Sequence, residues 1–295
     1  MLLVNYNTEF HILNLLADLH EQQNFSNFEV CIVNNVQNDA MKAALAAHQF
    51  SFCVKFLQSD ENIGFGRAMN LASTCATGQH FVIINPDIRI TNPLFLYHLH
   101  QRIKCALDYG IMTCQLLNNK GQDKSEFYDF EFHETFGFTD KIAWFSGAFI
   151  VIRQEVFEGL NGFDPDFFMY CEDEDLCLRI KKIGLSFIKL NDLYLYHEGG
   201  VSEQSKSYDF FCRWYRSQIL FCYKHFSQEK FENLLQKLVI KSKKKVNYYR
   251  ILARLPITRY KIKKNQWQAM LDTVLKTQRE GINWLYFKSL TEQRK

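Results

Sequence analysis

The sequence predicts an α/β fold in which helices flank a mainly parallel sheet, followed by a helical C-terminal region. One observation is that short apolar runs alternate with helix-like segments over residues 1–204, which is the order that builds right-handed βαβ units. Another is that residues 205–295 carry aromatic and aliphatic side chains at helical spacing. We therefore predict two domains, residues 1–204 and residues 205–295.

The two predicted domains differ sharply in charge. The chain of 295 residues has a net charge of +3, but residues 1–204 hold 14 Lys and Arg against 26 Asp and Glu (−12), and residues 205–295 hold 21 against 6 (+15). Such a division indicates two regions with different partners. The nine cysteines contain no C-x-x-C pair, which favours a reducing cytosol over a disulfide framework or a cysteine zinc site.

The first domain begins with the strand LLVNYN and a helix, capped by Thr8, whose apolar side consists of Ile12, Leu13, Leu16 and Leu19. Further strands are predicted at 28–35, 52–57 and 80–84, with helices at 39–48 and through 70–76. Polar clusters follow three of the strands, at Asn5 to Asn7, at Asn34 with Asn35, and at Asn85-Pro86-Asp87. Ligands of such sheets bind at the carboxyl ends of the strands, so these clusters predict a binding site.

The stretch NIGFGRAMN, residues 62–70, places two glycines and Arg67 at a helix entrance. Glycine lets a phosphate approach the backbone, and a guanidinium offers it a fork of donors. A structural turn explains the glycines equally well. The stretch matches neither the Walker A loop nor G-x-G-x-x-G, which removes the main support for a kinase or a dinucleotide dehydrogenase.

The next elements are a predicted helix over 93–109, a strand over 111–117 and a polar loop over 118–141 that shapes a binding pocket. The segment WFSGAFIVIR, residues 144–153, predicts one strand in which Gly147 permits a close approach. Strands over 187–196 end at His197 beside two glycines. Asp87 is a hard oxygen ligand suited to Mg²⁺ or Mn²⁺, and His197 is a second candidate ligand. A turn aspartate and a structural histidine are the alternatives.

Four acids, Glu172 to Asp175, precede a helical pattern that ends at Gly184. Acids at a helix N-terminus meet free N–H groups and the positive end of the helix dipole, which can hold a carboxylate ionised and ready to accept a proton. An acidic, capped first turn on a surface helix is the alternative.

Taken in order, the motifs VNYN, VNN, NIGFGRAMN, NPD, the block SGAFIVIRQEVFEGLNGFDPDFFMYCEDEDLCLRIKKIG and HEGG resemble those of the family 2 glycosyltransferases, especially the bacterial rhamnosyltransferase-like branch. The resemblance covers residues 2–202. It implies a GT-A fold, a nucleotide-diphosphate-sugar donor, Mg²⁺ or Mn²⁺, and a hexosyl or rhamnosyl transfer with inversion to a glycan or lipid-linked glycan acceptor.

The resemblance also implies roles for individual residues. Asp173 matches the general base, and Asp87 and His197 match the metal site. The nucleotide-sugar site would contain Asn5, Tyr6, Asn34, Asn35, Gly64, Arg67 and Asn70. The acceptor side, or the surroundings of the base, would contain Glu172, Asp175, Trp144, Ser146 and Gly147. Two positions depart from the family pattern, because Asn85 replaces the first acid of D-x-D and Asn34 replaces the aspartate of V-D-N.

We therefore expect a metal-dependent glycosyltransferase of surface polysaccharide or lipooligosaccharide assembly. A glycoside hydrolase also uses paired carboxylates, but Asp87, Arg67 and His197 would then have no role. The two asparagine departures leave open a catalytically silent module that binds nucleotide sugar or docks on a membrane.

The C-terminal region has aromatic residues throughout 208–240 and then ten Lys or Arg and no acid from Lys241 to Lys264. This pattern favours peripheral contact with an anionic membrane, with the aromatics as anchors, and hence a cytoplasmic protein at the inner face of the cytoplasmic membrane. No apolar run approaches the ~20 residues of a membrane span, and no signal peptide is predicted. A helical appendage with a solvated basic face is the alternative. Nucleic-acid binding competes with lipid, but no nucleic-acid motif supports it.

Overall fold

The structure, a computed structural model, describes residues 1–106, 108–127, 144–200 and 206–288. These residues form two compact units. The first contains residues 1–165 and 172–200, and the second contains residues 166–171 and 206–288.

The strands are β1 (Leu2–Asn5), β2 (Glu29–Asn34), β3 (Cys53–Gln58), β4 (His80–Ile84), β5 (Ile88–Arg89), β6 (Tyr109–Leu117), β7 (Glu126–Phe127), β8 (Trp144–Phe145), β9 (Phe149–Arg153) and β10 (Ser186–His197). The helices of the first unit are α1 (Glu9–His20), α2 (Ala40–Ala46), α3 (Phe65–Ser73), α4 (Phe95–Cys105), α5 (Gln154–Gly159) and α6 (Glu172–Lys182). The second unit contains α7 (Tyr208–His225), α8 (Gln228–Leu252), α9 (Thr258–Glu280) and a 3₁₀ turn (Asn283–Leu285).

Eight strands form one sheet in the order β3-β2-β1-β4-β9-β6-β10-β5, and β7 pairs with β8 separately. The pairs β2/β3, β1/β2, β1/β4 and β6/β10 are parallel. Strand β9 runs antiparallel to both β4 and β6, and β5 runs antiparallel to β10. The predicted α/β fold with a mainly parallel sheet is confirmed.

Helices cover both faces of this sheet because its central strands are apolar on both sides. Leu3 packs with the buried residues of α1, α2 and α4, whereas its neighbours Leu2 and Val4 pack with those of α3, α5 and α6. Successive side chains of a strand point to opposite faces, so continuous apolar strands such as β1 belong in the middle layer of three.

Several predicted boundaries were wrong. Helix α3 begins at Phe65, and α4 is shorter than the predicted 93–109 because Tyr109 begins β6. The predicted strand over 144–153 is divided into β8 and β9, with Ser146, Gly147 and Ala148 between them. The predicted loop over 118–141 contains β7 in its first part, and the rest of it, from residue 128, lies outside the described residues.

The second unit is helical. Ser207 caps α7 by accepting a hydrogen bond from the N–H of Phe210, and Gly281 ends α9 in a left-handed conformation with φ of 76°. The expectation that the aromatics of 208–240 anchor at a lipid surface is wrong for Phe211, Tyr215 and Phe221, which are at most 6% exposed. Among the described residues, no helix combines the length and the apolar character that crossing a membrane requires.

Candidate active site

The carboxyl ends of β1 and β2 meet through two asparagines. Asn5 and Asn34 are register partners, and Nδ2 of Asn5 donates to Oδ1 of Asn34 over 2.7 Å. Oδ1 of Asn5 accepts from the N–H and the hydroxyl of Thr8. Thr8 lies at the predicted N-cap position of α1, but its side chain accepts no hydrogen bond from a helix N–H. Its hydroxyl instead donates to Asn5.

Asn34 is fully buried and fixes the loop after β2. Its Nδ2 donates to three oxygens, which belong to the carbonyl of Val36 (3.0 Å), the carbonyl of Asn38 (2.9 Å) and the side chain of Gln58 (2.8 Å). A buried amide with this many partners has no free donor for a ligand. The structure thus places Asn34 in the framework under the strand ends.

Asn35 does the same for the loop before α3. Its Nδ2 donates to Oδ1 of Asn62 and to the carbonyl of Gly64, and its Oδ1 accepts from the N–H of Ile63. Tyr6 differs from the three asparagines because it is 40% exposed. Of these four residues, all predicted to contact the nucleotide, Tyr6 is therefore the one whose side chain a ligand can reach directly.

The two glycines at the entrance of α3 each have a backbone reason. Gly64, which precedes the helix, has φ of 83°, a left-handed conformation that favours glycine. A Cβ on Gly66 would lie 3.0 Å from Cβ of Phe163. The turn explains Gly64, and helix packing explains Gly66. This is the structural alternative to a phosphate-binding role that the sequence left open for residues 62–70.

Two other predicted donor-site residues join α3 to the turn at 162–165. Nε of Arg67 donates to the carbonyl of Pro165 over 2.6 Å. Asn70 exchanges two hydrogen bonds with the backbone of Phe163, at 2.7 Å to the carbonyl and 2.9 Å from the N–H. Asn70 is therefore a positioning residue for this turn.

Asp87 and His197 come together because β5 pairs with the end of β10, where His197 is the register partner of Ile88. Nε2 of His197 lies 3.4 Å from Oδ1 of Asp87, and Oδ2 of Asp87 accepts from the N–H of Gly199 over 2.9 Å. Burial acts to raise the pKa of Asp87, but the hydrogen bond and charge of His197 and the Gly199 N–H outweigh it and lower that pKa.

A carboxylate beside an imidazole fits a Mg²⁺ or Mn²⁺ ion that takes its other ligands from substrate phosphates and water. In the part of the chain that the structure describes, no group of three or more His, Cys, Asp or Glu is arranged to hold a metal. Asp87 and His197 therefore form a candidate site with two protein ligands.

Asp173 lies in the first turn of α6, as predicted for the four acids. Its Oδ2 accepts from the N–H of Gly147 over 2.8 Å, and its Oδ1 accepts from the N–H of Glu174 over 3.0 Å. The break between β8 and β9 turns the Gly147 N–H towards this carboxylate. A Cβ at position 147 would lie 3.3 Å from Cβ of Asp173, so the glycine permits the close approach.

Burial changes the electrostatics that the helix terminus alone would give. Burial raises the pKa of Asp173, although the N–H groups of Gly147 and Glu174 act to lower it. Burial therefore opposes the stabilisation that the N–H groups at the start of the helix give to the ionised carboxylate. Burial, followed by the charge of Asp173, raises the pKa of Glu172 well above its ordinary value. Glu172 is 7% exposed, and its Oε2 has no hydrogen-bond partner among the described residues.

The other residues predicted around the base have identifiable contacts. Asp175 is 1% exposed and pairs with Nε of Arg179 over 2.7 Å, which holds it within the fold. The ring of Trp144 stacks on that of Phe127 with a centroid distance of 5.7 Å. Oγ of Ser146 accepts from the N–H of Ala148 and so supports the bend beside Gly147.

Two acids near these sites were missed. Oε1 of Glu9 accepts from Nδ2 of Asn5 over 3.0 Å, and Oε2 of Glu198 lies 3.6 Å from Nε2 of His11. The position of Glu198 directly after His197 was the available signal, but its partner on α1 is remote in sequence.

Comparisons with known proteins found a family model and curated relatives that match this chain. Residues 2–160 match the family model described as Glycosyl transferase family 2. "Rhamnosyltransferase WbbL" of Escherichia coli (strain K12) is 48% identical over 44 residues, 15% of this chain and 17% of that protein. "O-antigen biosynthesis protein RfbC" of Myxococcus xanthus is 26% identical over 214 residues, 66% of this chain and 17% of that protein. The matches thus span less than a fifth of either relative.

Solved structures show the same fold. The mannosyltransferase PcManGT from Pyrobaculum calidifontis, in complex with GDP-Man and Mn²⁺, has a TM-score of 0.61 at 15% identity over 95% of this chain and 86% of that chain. S. aureus TarS 1–349 in complex with UDP-GlcNAc has a TM-score of 0.56 at 16% identity over 95% and 91%. These likenesses confirm the predicted GT-A architecture. Because the family model matches more than half of the chain, this protein belongs to glycosyl transferase family 2.

Proposed function

We propose that the protein is an inverting, metal-dependent glycosyltransferase. It moves a sugar from a nucleotide-diphosphate donor to a hydroxyl of a glycan or lipid-linked glycan in bacterial surface polysaccharide or lipooligosaccharide assembly. The observation that carries the proposal is the partly buried Asp173 carboxylate, held by the Gly147 N–H at the start of α6. The names of WbbL and RfbC support the biosynthetic setting, and the ligands of PcManGT and TarS support a nucleotide-sugar donor.

In the proposed reaction the acceptor hydroxyl attacks the anomeric carbon of the donor sugar. A bond forms between the hydroxyl oxygen and that carbon, the bond from the carbon to the diphosphate breaks, and the hydroxyl proton passes to Asp173. A single displacement of this kind inverts the configuration at the carbon. Because burial raises the pKa of Asp173, the ionised carboxylate is a stronger base than that of a solvated aspartate.

Glu172 and Asp173 interact within the acidic first turn of α6. Burial raises the pKa of both carboxyl groups, and the charge of Asp173 also raises the pKa of Glu172. Asp87 and His197 would hold the Mg²⁺ or Mn²⁺. When bound, that ion neutralises charge on the leaving diphosphate. The protein would act in the cytoplasm at the inner face of the cytoplasmic membrane.

The test pairs donor binding with turnover. A panel of UDP-, dTDP- and GDP-sugars is screened by thermal shift with Mn²⁺ or Mg²⁺ and then with chelator, and the stabilising donor is used to measure transfer. We expect Asp173→Asn to reduce kcat by about 10²–10⁴-fold while donor stabilisation is retained. The exposed Asp108 supplies the matched control, because Asp108→Asn should change neither quantity. Full turnover in Asp173→Asn, or no stabilisation by any donor, would contradict the proposal.

A further inference from the structure

Helix α8 has two apolar faces, and only one of them is covered. Its covered face, made by Phe231, Leu235 and Leu238, is at most 6% exposed and belongs to the core of the second unit. The opposite side of the helix carries Ile240, Lys244, Tyr248 and Ile251. These residues follow one another at intervals of four, four and three, so they form one stripe along the helix. Ile240 is 58% exposed, Tyr248 is 56% exposed and Ile251 is 64% exposed. The packing of the helix in the second unit therefore does not explain why these three positions carry apolar side chains.

The exposed apolar stripe continues into the turn between α8 and α9. Leu255 is 46% exposed and Ile257 is 43% exposed, with Pro256 exposed between them. Exposed aliphatic side chains that follow one another along a surface mark an interaction site, whereas single ones are ordinary. The turn follows the stripe directly in the chain and extends its set of exposed apolar side chains.

Basic residues flank the stripe on both sides. At 100° per residue, Lys243 and Arg250 fall on one side of it and Lys245 on the other, and Arg254 follows in the turn after the helix. All four are exposed, and none forms an ion pair within the part of the chain that the structure describes. Between Glu232 and Asp272 the chain has eleven Lys or Arg and no acid, so no nearby carboxylate neutralises this surface.

We propose that this surface docks on an anionic lipid bilayer, with α8 lying in the plane of the interface. The docking surface comprises Ile240, Tyr248, Ile251, Leu255 and Ile257 together with Lys243, Lys244, Lys245, Arg250 and Arg254. Its apolar stripe enters the boundary between headgroups and acyl chains, and the flanking cations contact anionic headgroups. Neither donor binding nor sugar transfer requires this surface, so the inference goes beyond the proposed reaction.

Charge and shape decide between a bilayer and the other occupants. Two copies meeting through this face would bring two uncompensated positive surfaces together, which is unfavourable. A nucleic acid would satisfy the cations but would leave the aliphatic stripe in water, since phosphate contacts need no apolar surface. An anionic bilayer accommodates both properties.

The test measures binding of the full chain to vesicles of phosphatidylglycerol with phosphatidylethanolamine, at low and high salt, against vesicles of phosphatidylcholine alone. One basic residue near an anionic surface changes partitioning about fivefold. The triple variant Lys243→Gln, Arg250→Gln, Arg254→Gln should therefore bind about 100-fold more weakly. The double variant Ile251→Ser, Leu255→Ser should lose about tenfold or more, with its remaining binding more sensitive to salt.

Matched controls come from the first unit. Lys42, Lys104 and Lys120 are exposed and unpaired within the described residues, so changing all three to Gln removes the same charge from elsewhere. Phe10 and Ile183, 70% and 54% exposed, serve as the apolar control when both become Ser. We expect neither control to alter vesicle binding by more than about twofold.

Several outcomes would overturn the proposal. Equal binding to neutral and anionic vesicles, or equal losses of binding in the control variants, would be two of them. A third would be tighter binding to an oligonucleotide than to vesicles, unchanged in the double variant Ile251→Ser, Leu255→Ser. A fourth would be self-association of the protein that this double variant abolishes. Donor-dependent thermal stabilisation of each variant is measured in parallel. A variant that loses vesicle binding but keeps donor stabilisation tests the docking surface alone. If neither the variants nor the unaltered chain are stabilised by a donor, the result counts against the proposed transferase and leaves the docking surface untouched.

Discussion

The backbone N–H of Gly147 and Oδ2 of Asp173 lie 2.8 Å apart in a hydrogen bond that joins the break between β8 and β9 to the first turn of α6. The bond aims the proposed base and stabilises its ionised form. Its geometry depends on the missing side chain at position 147, because a Cβ there would lie 3.3 Å from Cβ of Asp173.

Gly147→Ala should therefore displace the carboxylate while leaving the donor site unchanged. We expect kcat to fall by about 10- to 100-fold, since small misplacements of a catalytic group have effects of this size, and donor stabilisation to persist. Gly159→Ala is the matched control, because nothing lies within 4 Å of a Cβ at position 159. A Gly147→Ala variant with unchanged kcat would show that the Asp173 position tolerates this contact.

The pH dependence of the rate follows from the raised pKa of Asp173. A base works only when deprotonated, so kcat/KM should fall as pH is lowered through that pKa. The acid limb should lie above the value of about 3.9 for an unperturbed aspartate. A rate profile in a non-chelating buffer series checks this, and an acid limb at or below the unperturbed value would contradict the burial argument.

Glu172→Gln should make the protein relatively more stable as pH rises. Because burial raises the pKa of Glu172 in the folded state, the native protein holds a proton that the unfolded chain releases from about pH 4.3 upwards. Folding stability is then lost progressively as pH rises towards the native pKa, and glutamine removes this loss. Urea unfolding of both proteins at several pH values measures it.

The exposed Glu21 provides the control for this experiment, because Glu21→Gln makes the same chemical change at a side chain in contact with solvent. A pH-independent difference between Glu172→Gln and the unaltered protein would mean that Glu172 is not the residue responsible.

His197→Ala should weaken metal binding, since it removes one of two protein ligands of the candidate site. We expect the Mn²⁺ concentration for half-maximal donor-dependent stabilisation to rise by about tenfold or more. The exposed His98→Ala should leave it unchanged. Asn85→Asp should shift it in the opposite direction by adding a carboxylate two residues before Asp87. Identical Mn²⁺ requirements in His197→Ala and the unaltered protein would exclude this imidazole as a ligand.

Asn34→Asp tests whether the buried amide is part of the framework. The change removes a donor that serves the carbonyls of Val36 and Asn38 and Oε1 of Gln58. We expect the free energy of unfolding to fall by about 1–3 kcal/mol. Asn119→Asp, in an exposed turn, should cost little. Unchanged stability on urea unfolding would show that a carboxylate is accommodated at position 34.

Local patterns predicted the parts of the fold that depend on neighbours in sequence. The acids at the start of α6 and the apolar strands were recognised from residue spacing and from runs of apolar residues. The asparagines at the strand ends were assigned to a ligand because their partners, such as Gln58 for Asn34, lie 24 residues away. The contact between Gly147 and Asp173 spans 26 residues, and periodicity cannot reveal a contact of that kind.

The direction of β9 was equally inaccessible to sequence reasoning. Its apolar pattern is the same whether it runs parallel or antiparallel to β4, and only the pairing in the folded protein decides. The buried environment that raises the pKa of Asp173 also depends on the assembled fold, since a helix terminus in solution would have the opposite effect.

Because β5 pairs with β10, the length of β10 helps to decide whether Asp87 and His197 meet at the candidate metal site. Side chains alternate along a strand, so one residue added between Tyr194 and His197 would turn the imidazole to the opposite face of the sheet and leave the letters H-E-G-G intact. Between Leu190 and Tyr194, by contrast, the ladder with β6 already skips register and can absorb a change of length. Related chains that keep the motif but differ in length on the two sides of Tyr194 should therefore differ in whether the histidine still faces the aspartate that corresponds to Asp87.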